Sequence, residues 1–210
     1  MFTRRVLVPV AAGCLLLAGC TGGPADDPSS GTAAAVPDTA RLRKMVLQPG
    51  GAGEVRDVHP AELRPVGEGE TPCATMWALL GQRGAQAAIT QALPSDEPGQ
   101  PQMTFLAAHA DAEATFARLR SALEACPTDS SDGDKATVRY EELDGAGFPE
   151  DAIRIRITVH SAPAKILDRI VVRVGACIVD MVGTGREPYP RLGEQPVLRQ
   201  IERLKAGQGL

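Results

Sequence analysis

Polar and apolar residues alternate strictly over residues 153–160, where each isoleucine or valine is followed by an arginine, threonine or histidine. A period of two predicts a β-strand that buries one face. Shorter or less regular patterns predict further strands over residues 85–93, 102–108, 137–143, 165–174 and 177–182. Because Gly175-Ala176 can form a two-residue turn, we expect Val174 to pair with Cys177 in an antiparallel hairpin.

Apolar residues recur at the helical period in four other segments, and three of these follow a capping residue. The caps are Asp38, Thr71 and Asp111, and Pro72 takes the first helical position after Thr71. The fourth helix is predicted over about residues 196–205. Strands with one apolar face and helices with one apolar stripe predict an α+β fold, a single mainly antiparallel β-sheet with helices packed on one face.

The first 19 residues have the pattern of an export signal. Arg4 and Arg5 precede an apolar run over residues 6–17, which is shorter than the roughly 20 residues of a membrane span. The run ends in Leu17-Ala18-Gly19-Cys20, which resembles the lipobox of bacterial lipoproteins. This resemblance implies that residues 1–19 are removed, that Cys20 is lipidated with a diacylglycerol and palmitate, and that the protein is anchored to the outer face of the cell membrane.

Composition separates the rest of the chain into two parts. Residues 20–37 are small or polar with no large apolar residue before Val36, which predicts a flexible tether. Residues 38–210 are long enough for one domain with its own core, and 43% of the whole chain is hydrophobic. The formal net charge of −4 argues against nucleic acid as a partner.

Several short motifs resemble the PknH-type extracellular sensor domain of actinobacterial kinases and lipoproteins. They are Met103-Thr104-Phe105, Leu123-Glu124-Ala125-Cys126 and the strand Ile170-Val171-Val172-Arg173-Val174-Gly175, followed by a partner strand and a terminal helix. The resemblance implies an extracytoplasmic, non-catalytic α+β domain that binds a ligand in a cleft between sheet and helices. It also implies bracing disulfides, although this chain has one cysteine fewer than the usual two pairs.

Three cysteines follow the lipobox: Cys73, Cys126 and Cys177. In an exported protein an odd count leaves one thiol unpaired. All three lie on predicted apolar faces, so the residues themselves leave both Cys73–Cys126 and Cys126–Cys177 open. The resemblance implies the Cys73–Cys126 pair, with Cys177 as a buried free thiol.

Arginines supply the most suggestive polar group. Alternation places Arg154 and Arg156 opposite the isoleucines of their strand, and Arg169 and Arg173 lie on the next strand. We expect all four on the outer face of the sheet, where they form a candidate anion-binding face for a carboxylate, a phosphate or an anionic cell-wall polymer. The alternative is an ordinary exposed sheet face whose charges are partly neutralised by nearby carboxylates.

The remaining motifs do not predict catalysis, a cofactor or a metal. His59, His109 and His160 lack metal-site spacing, and the acidic stretch 129–134 has Arg139 where a calcium loop needs its final acid. We therefore expect a lipid-anchored extracytoplasmic protein with a non-catalytic ligand-binding or sensor-like domain, whose ligand is a small molecule, a polymer or a protein. The alternative is a carrier of a lipid or another apolar cell-envelope molecule; an envelope hydrolase is a third hypothesis, without a supporting motif.

Overall fold

The computed structural model describes residues 36–46, 53–67, 69–93, 99–129, 135–143, 147–149 and 151–210. The predicted signal, the predicted lipidation site Cys20 and most of the predicted tether lie outside the described residues.

One antiparallel sheet of eight strands organises the domain, in the order β1-β2-β3-β8-β7-β6-β5-β4. Its strands are β1 (Val55–Asp57), β2 (Ala87–Ala92), β3 (Met103–Ala108), β4 (Thr128–Asp129), β5 (Ala136–Glu142), β6 (Ala152–Val159), β7 (Lys165–Val174) and β8 (Cys177–Arg186). The α+β class and the antiparallel sheet are confirmed, as is the pairing of Val174 with Cys177. The edge strands β1 and β4 were not predicted, because three and two residues are too few to show a period.

In the described residues four helices pack on this sheet, and three of them begin at the predicted caps. They are α1 (Thr39–Met45), α2 (Pro72–Leu80), α3 (Ala112–Glu124) and α4 (Gln195–Gln208). Asp38 and Asp111 each accept a hydrogen bond from the backbone N–H three residues on, at 2.8 and 2.9 Å, and the Thr71 hydroxyl does the same at 3.2 Å. These bonds satisfy N–H groups that a helix start leaves without partners.

The helices cover both faces of the sheet, so the prediction of helices on one face is wrong. Helices α1 and α4 pack on the face that carries Ile170 and Val172, which we call the α1/α4 face. Helices α2 and α3 pack on the opposite face, which carries Val171 and Ile155 and which we call the α2/α3 face. The central strand β7 is therefore apolar on both sides, as a strand buried between two layers must be.

A disulfide joins α2 to the end of α3. Cys73 and Cys126 are bonded with their Cα atoms 5.1 Å apart, which confirms the pairing that the resemblance implied. Cys177 is a buried free thiol in the core under the α1/α4 face, whereas Cys126 lies in the core on the other side of the sheet. The Cys126–Cys177 alternative is excluded because the sheet separates the two side chains. Burial raises the pKa of Cys177 to about 12, so it stays a protonated thiol.

Candidate anion-binding groove

Strand register divides the four predicted arginines between the two faces of the sheet. Arg154 is directly opposite Ile170, and Arg169 is directly opposite Ile155. Because directly opposite residues share a face, Arg169 lies on the same side as the isoleucines of β6. Arg173, four residues further along β7, lies on that side too. The prediction of a single face with all four arginines is therefore wrong.

Arg169 belongs to the core under the α2/α3 face. Its guanidinium is buried against the Asp180 carboxylate, with Nε 3.1 Å from Oδ2 and a second bond from NH2 to the same oxygen. The guanidinium also lies over the Phe105 ring, 5.7 Å from its centre. A charge that is paired, buried and covered in this way is part of the fold and cannot reach a ligand.

Arg173 lies near the other end of the sheet, where its Nε donates to a carboxylate oxygen of Asp151. The second oxygen of Asp151 accepts from Arg120 at 3.0 Å. The two arginines share one carboxylate and tie α3 and β7 to the start of β6. This cluster is separate from Arg154 and Arg156.

Arg154 and Asp168 form a buried ion pair on the α1/α4 face. Their side chains are 6% and 0% exposed, and NH1 of Arg154 lies 3.4 Å from Oδ2 of Asp168. The same NH1 donates to the Leu192 carbonyl at 3.0 Å, and Oδ2 accepts the Leu192 N–H at 2.6 Å. The pair therefore attaches the segment before α4 to the sheet, through one backbone donor and one backbone acceptor.

Tyr189 brings this segment close to the sheet. Its ring lies against β8 where glycines stand: a Cβ at Gly185 would come within 2.0 Å of the ring, and one at Gly183 within 2.7 Å of the hydroxyl. The Tyr189 carbonyl accepts a hydrogen bond from NH2 of Arg156 at 3.1 Å. Residues 189–192 thus form a wall beside the exposed part of the α1/α4 face.

Between this wall and strands β5, β6 and β7 lies a groove of about 250 Å³. It is lined by Arg139, Tyr140, Glu141, Arg154, Arg156, Asp168 and Arg191. Four guanidinium groups and two carboxylates thus line it, so the groove is cationic within an acidic protein. We call it the arginine groove.

Arg139 and Arg156 are the two arginines of the groove that the fold leaves available. They are directly opposite each other on β5 and β6. Among the described residues Arg139 has no carboxylate within 4.0 Å, and the Arg156 side chain is 30% exposed with its one carboxylate neighbour, Asp168, at 4.0 Å. Like charges directly opposite on a sheet repel each other, and an anion between the two would remove this repulsion.

Arg191 lines the outer edge of the groove from the wall. It forms an ion pair with Glu141 at 2.6 Å, but both side chains are largely in solvent, at 67% and 42% exposure. An exposed pair of this kind contributes little to stability. Its guanidinium can therefore turn towards a bound anion at small cost.

Asp168 also has an oxygen without a partner. Its Oδ1 is buried and accepts no hydrogen bond from any described residue, whereas Oδ2 accepts the Leu192 N–H and lies 3.4 Å from Arg154. Buried acceptors are normally hydrogen-bonded, so we expect this oxygen to accept a hydrogen bond from a water molecule or from a hydroxyl of a ligand.

Metal-ligating side chains are scattered through the part of the chain that the structure describes. No group of three or more histidine, cysteine or acidic side chains could hold a metal there. The three histidines lie apart, with His109 buried and His160 Nε2 2.7 Å from the Thr137 hydroxyl. None of the helices described is long and apolar enough to cross a membrane.

No protein-family model, curated protein or solved structure matches this chain. The resemblance to the PknH-type sensor domain therefore stays a prediction.

Sequence reasoning brought Arg154 and Arg156 together correctly but missed Arg139 and Arg191. Arg139 alternates with Val138 and Tyr140, so its place on the polar side of β5 was readable from the sequence. Its position opposite Arg156 depends on the β5–β6 register, which no local pattern gives. Arg191 follows Pro188 and Pro190 in a segment without periodicity. The sequence therefore did not predict that its side chain lines the groove.

Proposed function

We propose that this protein is a lipid-anchored extracytoplasmic lipoprotein whose domain binds an anionic ligand, without catalysis, in the arginine groove. The observation that carries the binding proposal is the placement of Arg139 and Arg156 directly opposite each other. Arg139 is exposed and has no carboxylate partner among the described residues, and Arg156 is partly exposed. Like charges directly opposite on neighbouring strands destabilise a sheet, and a bound anion would neutralise them.

The geometry favours a ligand with a carboxylate or phosphate group. Planar guanidinium groups bind such oxygens through two parallel hydrogen bonds, and two arginines can clamp one group from both sides. The groove has room for a small molecule or for one unit of a longer polymer, at about 250 Å³. Asp168 Oδ1 would favour a ligand that also carries a hydroxyl donor.

Two features support the extracytoplasmic part of the proposal. The leader ends in the Leu17-Ala18-Gly19-Cys20 motif, and the fold contains a disulfide between Cys73 and Cys126. Structural disulfides persist in oxidising compartments and are rare in the cytosol. The carrier alternative gains less support, since the cavity between the sheet and helices α2 and α3 measures only about 10 Å³, less than an acyl chain needs.

Isothermal titration of the chain from residue 20, with Cys20→Ser to prevent lipidation, tests the binding proposal. Inorganic phosphate and citrate are the probes, and Arg139→Gln and Arg156→Gln are the variants. We expect each variant to weaken binding at least tenfold, because each removes one of the two guanidinium groups that would bind the anion. Arg64→Gln is the matched control, since Arg64 is exposed and outside the groove. Binding that is absent, or equally weak in all three variants, would reject the arginine groove as the site.

The anchor is tested separately in the host. Expression of the full chain and of Cys20→Ser, followed by membrane fractionation and mass measurement of the N-terminal peptide, shows whether Cys20 carries lipid. We expect the parent in the membrane with a diacylglyceryl group on its first residue, and the variant without lipid. An unmodified Cys20 in the parent would reject the anchor and leave the groove proposal untouched.

A further inference from the structure

A second charged surface lies between α1 and α4, next to Val36, the first described residue. Two hydrogen bonds from side chains of α4 to backbone carbonyls of α1 join the helices: Gln200 Nε2 donates to the Met45 carbonyl at 2.8 Å, and Arg203 donates to the Lys44 carbonyl at 3.1 Å. Beside this contact an open groove of about 880 Å³ runs along both helices. We call it the helix groove.

The helix groove has an apolar floor and a cationic rim. Val36, Ala40, Met45 and Ala206 contribute apolar surface, and Arg41, Lys44 and Arg203 contribute positive charge. A surface of this kind suits a partner with an apolar body and anionic head groups.

No described carboxylate neutralises the positive charges of the rim. Arg41 donates to the Gly207 carbonyl at 2.8 Å, and Arg203 donates to the Lys44 carbonyl. Carbonyl oxygens accept hydrogen bonds but carry no net charge. Among the described residues none of the three cations has a carboxylate within 4.0 Å, and the only carboxylate lining the groove, Asp38, caps α1.

The proposed anchor would hold this surface close to the membrane. Fifteen residues lie between Cys20 and Val36, and a chain of that length with their composition reaches roughly 20 Å. Of the two charged grooves, the helix groove is the one that Val36 itself lines, and the arginine groove does not include this residue.

We infer that the helix groove docks the domain on an anionic phospholipid surface, with Arg41, Lys44 and Arg203 contacting the head groups. The inference rests on the proposed anchor for the orientation of the domain. The charge and the shape of the helix groove do not depend on the anchor. Docking would turn the same side of the domain towards the bilayer in every copy.

Vesicle flotation of the chain from residue 20 with Cys20→Ser tests the inference, because this chain contains both cores and cannot be lipidated. The probes are vesicles of phosphatidylcholine alone and of phosphatidylcholine with phosphatidylglycerol. We expect binding only to the second kind, with a loss on addition of salt. Lys44→Gln should lower the partition coefficient about fivefold, the usual effect of one cation at an anionic surface.

Lys44 is the residue to change first, because its side chain is exposed and its ammonium group has no partner among the described residues. The triple variant Arg41→Gln, Lys44→Gln and Arg203→Gln should abolish binding. Lys165→Gln is the matched control, since Lys165 is exposed and outside the helix groove. Equal binding to neutral vesicles, or an equal loss in Lys44→Gln and Lys165→Gln, would overturn the inference. An unlipidated Cys20 in the host would instead reject the anchor, because vesicle binding here is measured without it.

Discussion

The ring of Tyr189 occupies the space above Gly185 that a side chain would need, with only 2.0 Å between a Cβ at that glycine and the ring. This contact brings residues 189–192 down onto β8, and the same segment forms one wall of the arginine groove. Glycine at this position thus determines where the wall of the candidate site stands.

Gly185→Ala should therefore displace the wall. The added methyl group has to push the Tyr189 ring away, and overpacking of this kind costs about 1–3 kcal/mol. We expect a lower free energy of unfolding in urea and weaker phosphate binding, since Arg156 loses the Tyr189 carbonyl that orients it. Gly193→Ala serves as the control, because its Cβ would meet the Gly99 carbonyl at 3.4 Å, an ordinary contact. If the two variants behave alike, the Tyr189 contact does not position the wall.

The buried pair Arg154–Asp168 predicts a large effect of a small change. Asp168→Asn keeps the shape of the side chain but leaves the Arg154 guanidinium, 6% exposed, without its buried counter-charge. Removing one partner of a buried ion pair costs about 3–5 kcal/mol, and we expect a value near the lower end because Glu194 still accepts from Arg154 at 3.1 Å. Urea unfolding measures the loss.

Glu141→Gln is the control for this pair, because Glu141 Oε1 also contacts the Arg154 guanidinium, 3.3 Å from Nε, but from a side chain that is 42% exposed. An ion pair with a partner in solvent contributes little. A loss of stability in Asp168→Asn no larger than that in Glu141→Gln would show that the pair is not a structural link between the sheet and residues 189–192.

The disulfide predicts a sensitivity to reduction. The Cys73–Cys126 bond closes a loop with a sequence separation of 53 residues, and losing it should destabilise the fold by about 4 kcal/mol through the entropy of the unfolded chain. The double variant Cys73→Ala and Cys126→Ala, measured by urea unfolding, should show this loss with and without reductant. Cys177→Ala removes a buried sulfur but no bond, so we expect a cost of about 1 kcal/mol and an unchanged response to reductant. An unchanged free energy of unfolding of the parent protein on addition of reductant under unfolding conditions would contradict the prediction.

The local signals in this sequence predicted most of the fold. The caps Asp38, Thr71 and Asp111 and the alternation in β6 each act over a few residues, so they could be read without the structure. The presence of helices on both faces of the sheet could also be predicted in part. Ile170, Val171 and Val172 are three consecutive apolar residues, and such a run is typical of a strand that is buried on both faces. The prediction of helices on one face did not take this run into account.

The candidate site was harder to predict because it depends on contacts between distant segments. Arg139 meets Arg156 through the β5–β6 register, and Arg191 lines the groove from a segment that is held to the sheet by Tyr189 and Leu192. Arg169 was assigned to the wrong face because shifting a strand by one residue turns every side chain to the other side. Alternation within a strand divides its side chains into two sets, one on each side of the strand. It does not show which set of the neighbouring strand lies on the same face of the sheet.

The buried histidine predicts how stability changes with pH. Burial lowers the pKa of His109 below its ordinary value of 6.5, and a hydrogen bond with the Gly84 backbone opposes this only in part. The unfolded chain therefore binds a proton at a higher pH than the folded protein does. The stability that neutral His109 provides is present above about pH 6.5 and is lost as the pH falls below it towards the folded pKa.

Urea unfolding from pH 8 to pH 5 should show this loss in the parent protein and a smaller one in His109→Gln, which cannot take up the proton. His59→Gln is the matched control, because His59 is exposed in a loop and its replacement should leave the slope of the parent unchanged. The same slope in the parent and in His109→Gln would mean that other groups, such as the carboxylates of the ion pairs, govern the acid limit of the fold. A reduced slope in His109→Gln alone would assign this part of the pH dependence to the side chain buried between the sheet and α3.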